Sequence, residues 1–94
     1  MIEPVTVCDE ALAKDLEEIE LIIFGTAWPN KTIRQKINAN EFKYWVYKKD
    51  QKIIAYLGIQ FINDFIEVLG IGVIEKYRKN GFANELMNEL VNYF

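Results

Sequence analysis

Apolar residues recur at helical spacing near the start of the chain, at Leu12, Leu16, Ile19 and Ile23. Asp9 precedes them as a capping residue and Gly25 closes the run, so a first helix is predicted here. Ahead of it, Glu3 to Val7 is short and β-leaning. Trp28-Pro29-Asn30 marks a turn, and Ile33 and Ile37 predict a short second helix. The connection between the two helices is rich in residues that shape a loop over a cleft. The period then changes. Phe42 to Tyr47 reads FKYWVY, Lys52 to Ile62 reads KIIAYLGIQFI and Phe65 to Ile74 reads FIEVLGIGVI, all rich in β-branched and aromatic residues. Asp50-Gln51 and Asn63-Asp64 separate them as short polar turns, which predicts an antiparallel meander. Helical spacing returns at Phe82, Leu86, Leu90 and Phe94, with Ala83, Met87 and Val91 widening the stripe. The order β-α-α-β-β-β-α predicts an α+β fold with a mainly antiparallel sheet, in one domain over residues 1–94.

Gly70 and Gly72 interrupt the third predicted strand. Glycine packs nothing and weakens a ladder. Two readings stand: a bulge or close approach of a ligand to the backbone, or room made for a neighbouring helix.

Composition narrows the chemistry. Half of the 94 residues are hydrophobic (51%), enough for a thin core. The net charge of −3 argues against a general nucleic-acid binder, whose affinity for phosphate backbones needs a basic surplus. There is no histidine and a single cysteine, Cys8, so a Cys-His or Ser-His-Asp arrangement cannot form, and no zinc site is expected. One cysteine also excludes an internal disulfide and fits a reducing compartment. The apolar runs are too short for a membrane span, and Glu3 stands where a signal peptide carries basic residues. A cytoplasmic location is the expectation.

The stretch before the last helix, Val73 to Ala83, reads VIEKYRKNGFA. Helix starts expose unpaired N–H groups and a partial positive charge, which bind phosphates. Gly81 lets the backbone approach an anion, Arg78 and Lys79 add charge, and Asn80 offers amide donors or a cap. The turn is therefore a candidate pyrophosphate cradle, or else plain surface charge on a small α+β scaffold. Neither GxxxxGK[ST] nor GxGxxG is present.

This stretch resembles the acetyl-CoA signature Q/R-x-x-G-x-G/A of the GNAT superfamily of N-acetyltransferases, carried by Arg78, Gly81 and Ala83. Ile71-Gly72-Val73 matches the apolar-small-apolar strand end that precedes it. The resemblance implies acetyl-CoA as cofactor, its pyrophosphate held by backbone amides of Lys79, Asn80, Gly81, Phe82 and Ala83, and its pantetheine arm against Ile71, Gly72 and Val73. Over the whole chain, including Trp28 to Thr32, the sequence is similar to the ribosomal-protein-alanine (RimI-like) acetyltransferases. That implies a protein N-terminal α-amine, or another small amine, as acceptor.

A neutral amine must attack the thioester. At pH 7 neutralising an α-amine costs about 1 kcal/mol, against roughly 3–4 kcal/mol for lysine, so an N-terminal acceptor demands less of a base. A strand N–H within Ile71–Val73 is expected to meet the developing oxyanion. Glu67, by its spacing before the motif, resembles the glutamate base of the superfamily's histone acetyltransferases. On a regular strand it shares a face with Leu69, Ile71 and Val73; it is either a desolvated base or a solvated charge. Family members continue beyond the last helix with elements these 94 residues do not include. The expectation is thus a truncated GNAT domain whose strand ending at Val73 has an unpaired edge, open to homodimer formation. The alternative is a catalytically inactive acyl-CoA-binding or dimerisation module.

Overall fold

The computed structural model describes residues 2–93. Its elements are strand β1 (Ile2–Val5), helices α1 (Glu10–Phe24) and α2 (Asn30–Asn38), strands β2 (Phe42–Lys49), β3 (Lys52–Ile62) and β4 (Phe65–Val73), and helix α3 (Phe82–Tyr93). A single 3-10 turn, Glu75–Tyr77, links β4 to α3. The order matches the predicted one, and all three strand pairings are antiparallel in the sheet order β1-β2-β3-β4. Phe94, the last position of the predicted stripe, lies outside the described residues.

Local chemistry sets the ends. The Asp9 carboxylate accepts a hydrogen bond from the Leu12 N–H at 2.8 Å, satisfying a donor the first turn of α1 cannot. Gly25 closes the helix with φ +75°, its N–H donating to the Leu21 carbonyl at 2.9 Å. The Asn38 side chain then clasps the segment after β1, accepting from the Cys8 N–H and donating to the Cys8 carbonyl, both at 2.9 Å. Between β2 and β3, Asp50 and Gln51 both take positive φ, +51° and +66°, the handedness a two-residue hairpin needs.

The sheet is covered on both faces, which explains why FKYWVY shows no polar alternation. Phe42, Tyr44 and Val46 point to α1 and α2, packing with Leu16, Ile33, Ile37 and Tyr56. Trp45 points the other way, with Ala55, Leu57, Ile59 and Val73 against Leu86 and Leu90 of α3. Cys8 is buried in the first cluster, and burial pushes its thiol up to about 11, in keeping with a packed apolar role rather than a nucleophile. Among the described residues no helix is long and apolar enough to cross a membrane.

The two open readings of the β4 glycines resolve together. A Cβ at Gly72 would stand 2.8 Å from the Ile23 side chain of α1, and one at Gly70 would stand 2.7 Å from the Tyr56 hydroxyl. Both glycines make room for neighbours. A bulge also lies beside them: Gly58 pairs with Gly70 and Ile59 with Val68, which leaves Leu69 as an extra residue. β4 is an edge strand among the described residues, paired only with β3.

Gly72→Ala is expected to cost about 1–3 kcal/mol by overpacking against Ile23, read as a lower urea midpoint. Because Ile23→Ala removes the atoms that clash, the Gly72→Ala/Ile23→Ala double variant should lose less than the sum of the two single losses. Strict additivity would show that the crowding does not limit this position.

Candidate functional site

The turn that follows β4 is built by its own side chains. Arg78 Nε donates to the Val73 carbonyl at 3.1 Å, tying the guanidinium to the strand end while its two terminal nitrogens remain for another acceptor. The Asn80 amide donates to the carbonyls of Tyr77 (2.9 Å) and Arg78 (3.3 Å) and so braces the bend. Lys79 and Gly81 both adopt positive φ, +69° and +80°, which turns the chain sharply into α3. The first helical bond there runs from the Glu85 N–H to the Gly81 carbonyl at 3.0 Å. The N–H groups of Phe82, Ala83 and Asn84 therefore stand outside the helical ladder.

These groups surround a cavity of about 370 Å³, lined by Ile71, Gly72 and Val73 of β4, Arg78, Lys79 and Gly81 of the turn, and Phe82 and Ala83 of α3. Of the candidates proposed from sequence for a cofactor, only Asn80 stays off this wall. Its amide is spent inside the turn. Tyr77 and Asn84 also line the cavity. Lys49 and Lys76 stand over the Tyr77 ring at 5.2 and 5.7 Å, so four cations gather here although the chain as a whole is acidic.

Backbone pairing decides what β4 offers its open side. The Ile74 N–H donates to the Ile54 carbonyl at 2.9 Å, which makes Ala55–Val73 and Leu57–Ile71 the non-hydrogen-bonded pairs. The N–H groups of Ile71 and Val73 consequently point away from β3. The Val73 carbonyl does so too, and Arg78 takes it.

Glu67 requires a correction. The extra residue Leu69 breaks the strand's alternation, so Glu67 pairs with Gln60 on the face shared with Tyr56 and Gly70, opposite to Ile71 and Val73. It is exposed and lines neither cavity of this region, so the apolar surroundings expected from a regular strand are not there.

A second cavity, of about 570 Å³, lies on the other side of the bulge under the α1–α2 connection, as the loop-over-a-cleft reading anticipated. Phe24, Trp28, Pro29, Tyr56 and Leu69 form walls, and Glu20 reaches it from α1. Glu20 is 4% exposed. Its carboxylate accepts from the Tyr44 hydroxyl at 3.0 Å and from the Trp28 N–H at 3.4 Å. Burial raises its pKa above the ordinary carboxylate range, against the lowering effect of these two bonds. The same burial, with Glu20 nearby, raises the phenols of Tyr44 and Tyr56. Sequence reading passed over Glu20, yet a signal was present: it sits four residues after Leu16 and three before Ile23, inside the apolar stripe of α1.

The comparisons bear on the family and the fold. The family model described as the acetyltransferase (GNAT) family matches residues 13–94. The chain belongs to the acetyltransferase (GNAT) family. No curated protein sequence matches it. Among solved structures, the ribosomal-protein-S18-alanine N-acetyltransferase of Escherichia coli superposes with a TM-score of 0.75 at 17% identity, covering 99% of this chain and 59% of the enzyme. An aminoglycoside acetyltransferase from an uncultured soil metagenomic sample gives a TM-score of 0.83 at 14% identity, covering 99% and 68%. A predicted acetyltransferase from Clostridium acetobutylicum, solved with acetyl-CoA, gives 0.71 at 21% identity, covering 99% and 73%. The chain thus spans under two thirds of the first of these enzymes and about seven tenths of the other two.

The raised pKa of Glu20 carries a sign. The folded chain keeps this proton at pH values where the unfolded chain has released it, so stability from this group is complete at low pH. It is lost as pH rises from the ordinary carboxylate range through the higher folded-state value. Glu20→Gln should remove that part of the slope and leave the protein at least as stable as wild type at neutral pH. Urea midpoints across pH check this; an unchanged slope would mean Glu20 titrates normally.

Proposed function

We propose that this chain is the cofactor-binding part of an acetyl-CoA-dependent N-acetyltransferase whose acceptor is a primary amine, with a protein N-terminal α-amine as the acceptor it suits best. The observation that carries the reading is the bend from Arg78 to Asn84, where helix-start amides outside the helical ladder, an anchored guanidinium and Lys79 border one cavity. That donor set fits a diphosphate: amides and a fork of guanidinium nitrogens supply charge-assisted hydrogen bonds, and Gly81 leaves the approach clear. Acetyl-CoA, when bound, supplies an acyl group activated as a thioester. On the strand side, the outward N–H groups of Ile71 and Val73 are donors for a pantetheine carbonyl and for charge developing on the acyl oxygen. The α-amine reading draws support from the neighbour that acetylates a ribosomal-protein alanine and from the small cost of neutralising such an amine.

A second reading is a binding or dimerisation module derived from the same fold. The open edge of β4 favours it, since Phe65 (74% exposed), Ile66 and Val68 leave apolar surface beside unpaired backbone.

Calorimetric titration with CoA tests the shared premise. Arg78→Ala should weaken binding about tenfold or more, and Gly81→Asp should abolish it by placing a like charge among the phosphate donors. Wild type failing to bind at about 1 mM CoA, or both variants binding as wild type does, overturns the cofactor assignment. Turnover of acetyl-CoA with free N-terminal peptides then separates the enzyme from the module.

A further inference from the structure

Glu20 is a charge placed where proteins rarely leave one without a counter-charge. Buried carboxylates are usually paired with a cation or saturated with hydrogen bonds, because removing them from water is costly. Glu20 has one firm hydrogen bond, from the neutral Tyr44 hydroxyl, and one long one, from the Trp28 backbone. Among the described residues no lysine or arginine forms an ion pair with it. The groups that face it do not help. On α1, Glu17 repels it and is itself held by the Asn30 amide at 2.9 Å. From β2 and β3 come only the stacked phenols of Tyr44 and Tyr56, and β4 contributes the uncharged Leu69.

The carboxylate is not sealed away either. It borders the 570 Å³ cavity, where Phe24, Trp28, Pro29 and Leu69 form an apolar side and Thr26 and Tyr56 a polar one. A group needed only for packing would serve better as a neutral residue there. This arrangement suits a compact cation that enters along the Phe24, Trp28 and Leu69 side of the cavity.

We propose that Glu20 receives the ammonium of the acceptor, and that the cavity above it selects amines carried on an apolar substituent. The proposal rests on the acetyl-transfer reading, which supplies the reason for an amine to be held here. Leu69, in this cavity, lies two residues from Ile71, in the other, about 7 Å along an extended strand, so the two cavities flank one short stretch of β4. The proton step closes without another reagent. The ammonium nitrogen loses one proton to the Glu20 carboxylate, giving a neutral carboxylic acid and a neutral amine whose lone pair is free. A carboxylate already short of stabilisation accepts that proton readily.

Leucinamide and N-acetyl-leucinamide, which differ in the ammonium, test this. Binding is followed by the indole N–H resonance of Trp28, which sits in the cavity wall. In wild type, leucinamide should bind at least tenfold more tightly than its acetylated form and should weaken as pH falls and Glu20 takes a proton. Glu20→Gln should weaken leucinamide tenfold or more and flatten that pH dependence, while CoA affinity by calorimetry stays within about twofold. Equal binding of the two ligands by wild type overturns the proposal whether or not the variant folds, and so does a variant that binds leucinamide like wild type. Loss of CoA binding by wild type with the leucinamide contrast intact would instead sink the acetyl-transfer reading and leave the ammonium site standing.

Discussion

Leu69 is one residue more than the β3–β4 ladder can pair, and the surplus governs what each side of the sheet presents. C-terminal to it, Ile71 and Val73 turn towards α3 and Gly70 and Gly72 towards α1; N-terminal to it, the phase reverses. The glycines have no side chain to offer, so Ile23 and Tyr56 press directly onto the strand backbone. That close approach brings the end of α1, and Glu20 with it, up to the same strand that borders the bend before α3. A regular strand would have put Glu67 on the face shared with Ile71 and Val73.

Much of this was legible from residues alone. The Asp9 cap, Gly25, the two polar dipeptide turns and the change from helical to strand period specify the elements because each acts locally. The turn from Arg78 to Ala83 was equally readable, since a glycine and adjacent cations at a helix start are a local pattern. Asn80 was the exception: its amide had two uses, and only the geometry shows that bracing the bend consumes it. What failed was non-local. Counting alternate residues along β4 cannot reveal a bulge that arises from pairing with β3, and Glu67 was misplaced for that reason. Glu20 was hidden differently, because a polar residue within an apolar stripe reads as noise until Tyr44 and Trp28 are seen to meet it.

Charge is distributed unevenly across this small molecule. Lys49, Lys76, Arg78 and Lys79 gather around Tyr77 and the α3 start, while Glu17 and Glu20 lie on the α1 side of the sheet. A cavity rimmed by cations favours an anionic ligand, and one with a buried carboxylate favours a cationic ligand. The net charge of −3 conceals both.

The hydrogen bond from Arg78 to the Val73 carbonyl has a mechanical meaning. It ties the bend to the last residue of a strand that is an edge among the described residues, so an anion held by the guanidinium would also hold that strand end. Edge strands fray from their ends, so a group that holds this end opposes local opening there. On the proposed function, a diphosphate on the guanidinium would thus steady the very strand end that walls its own cavity.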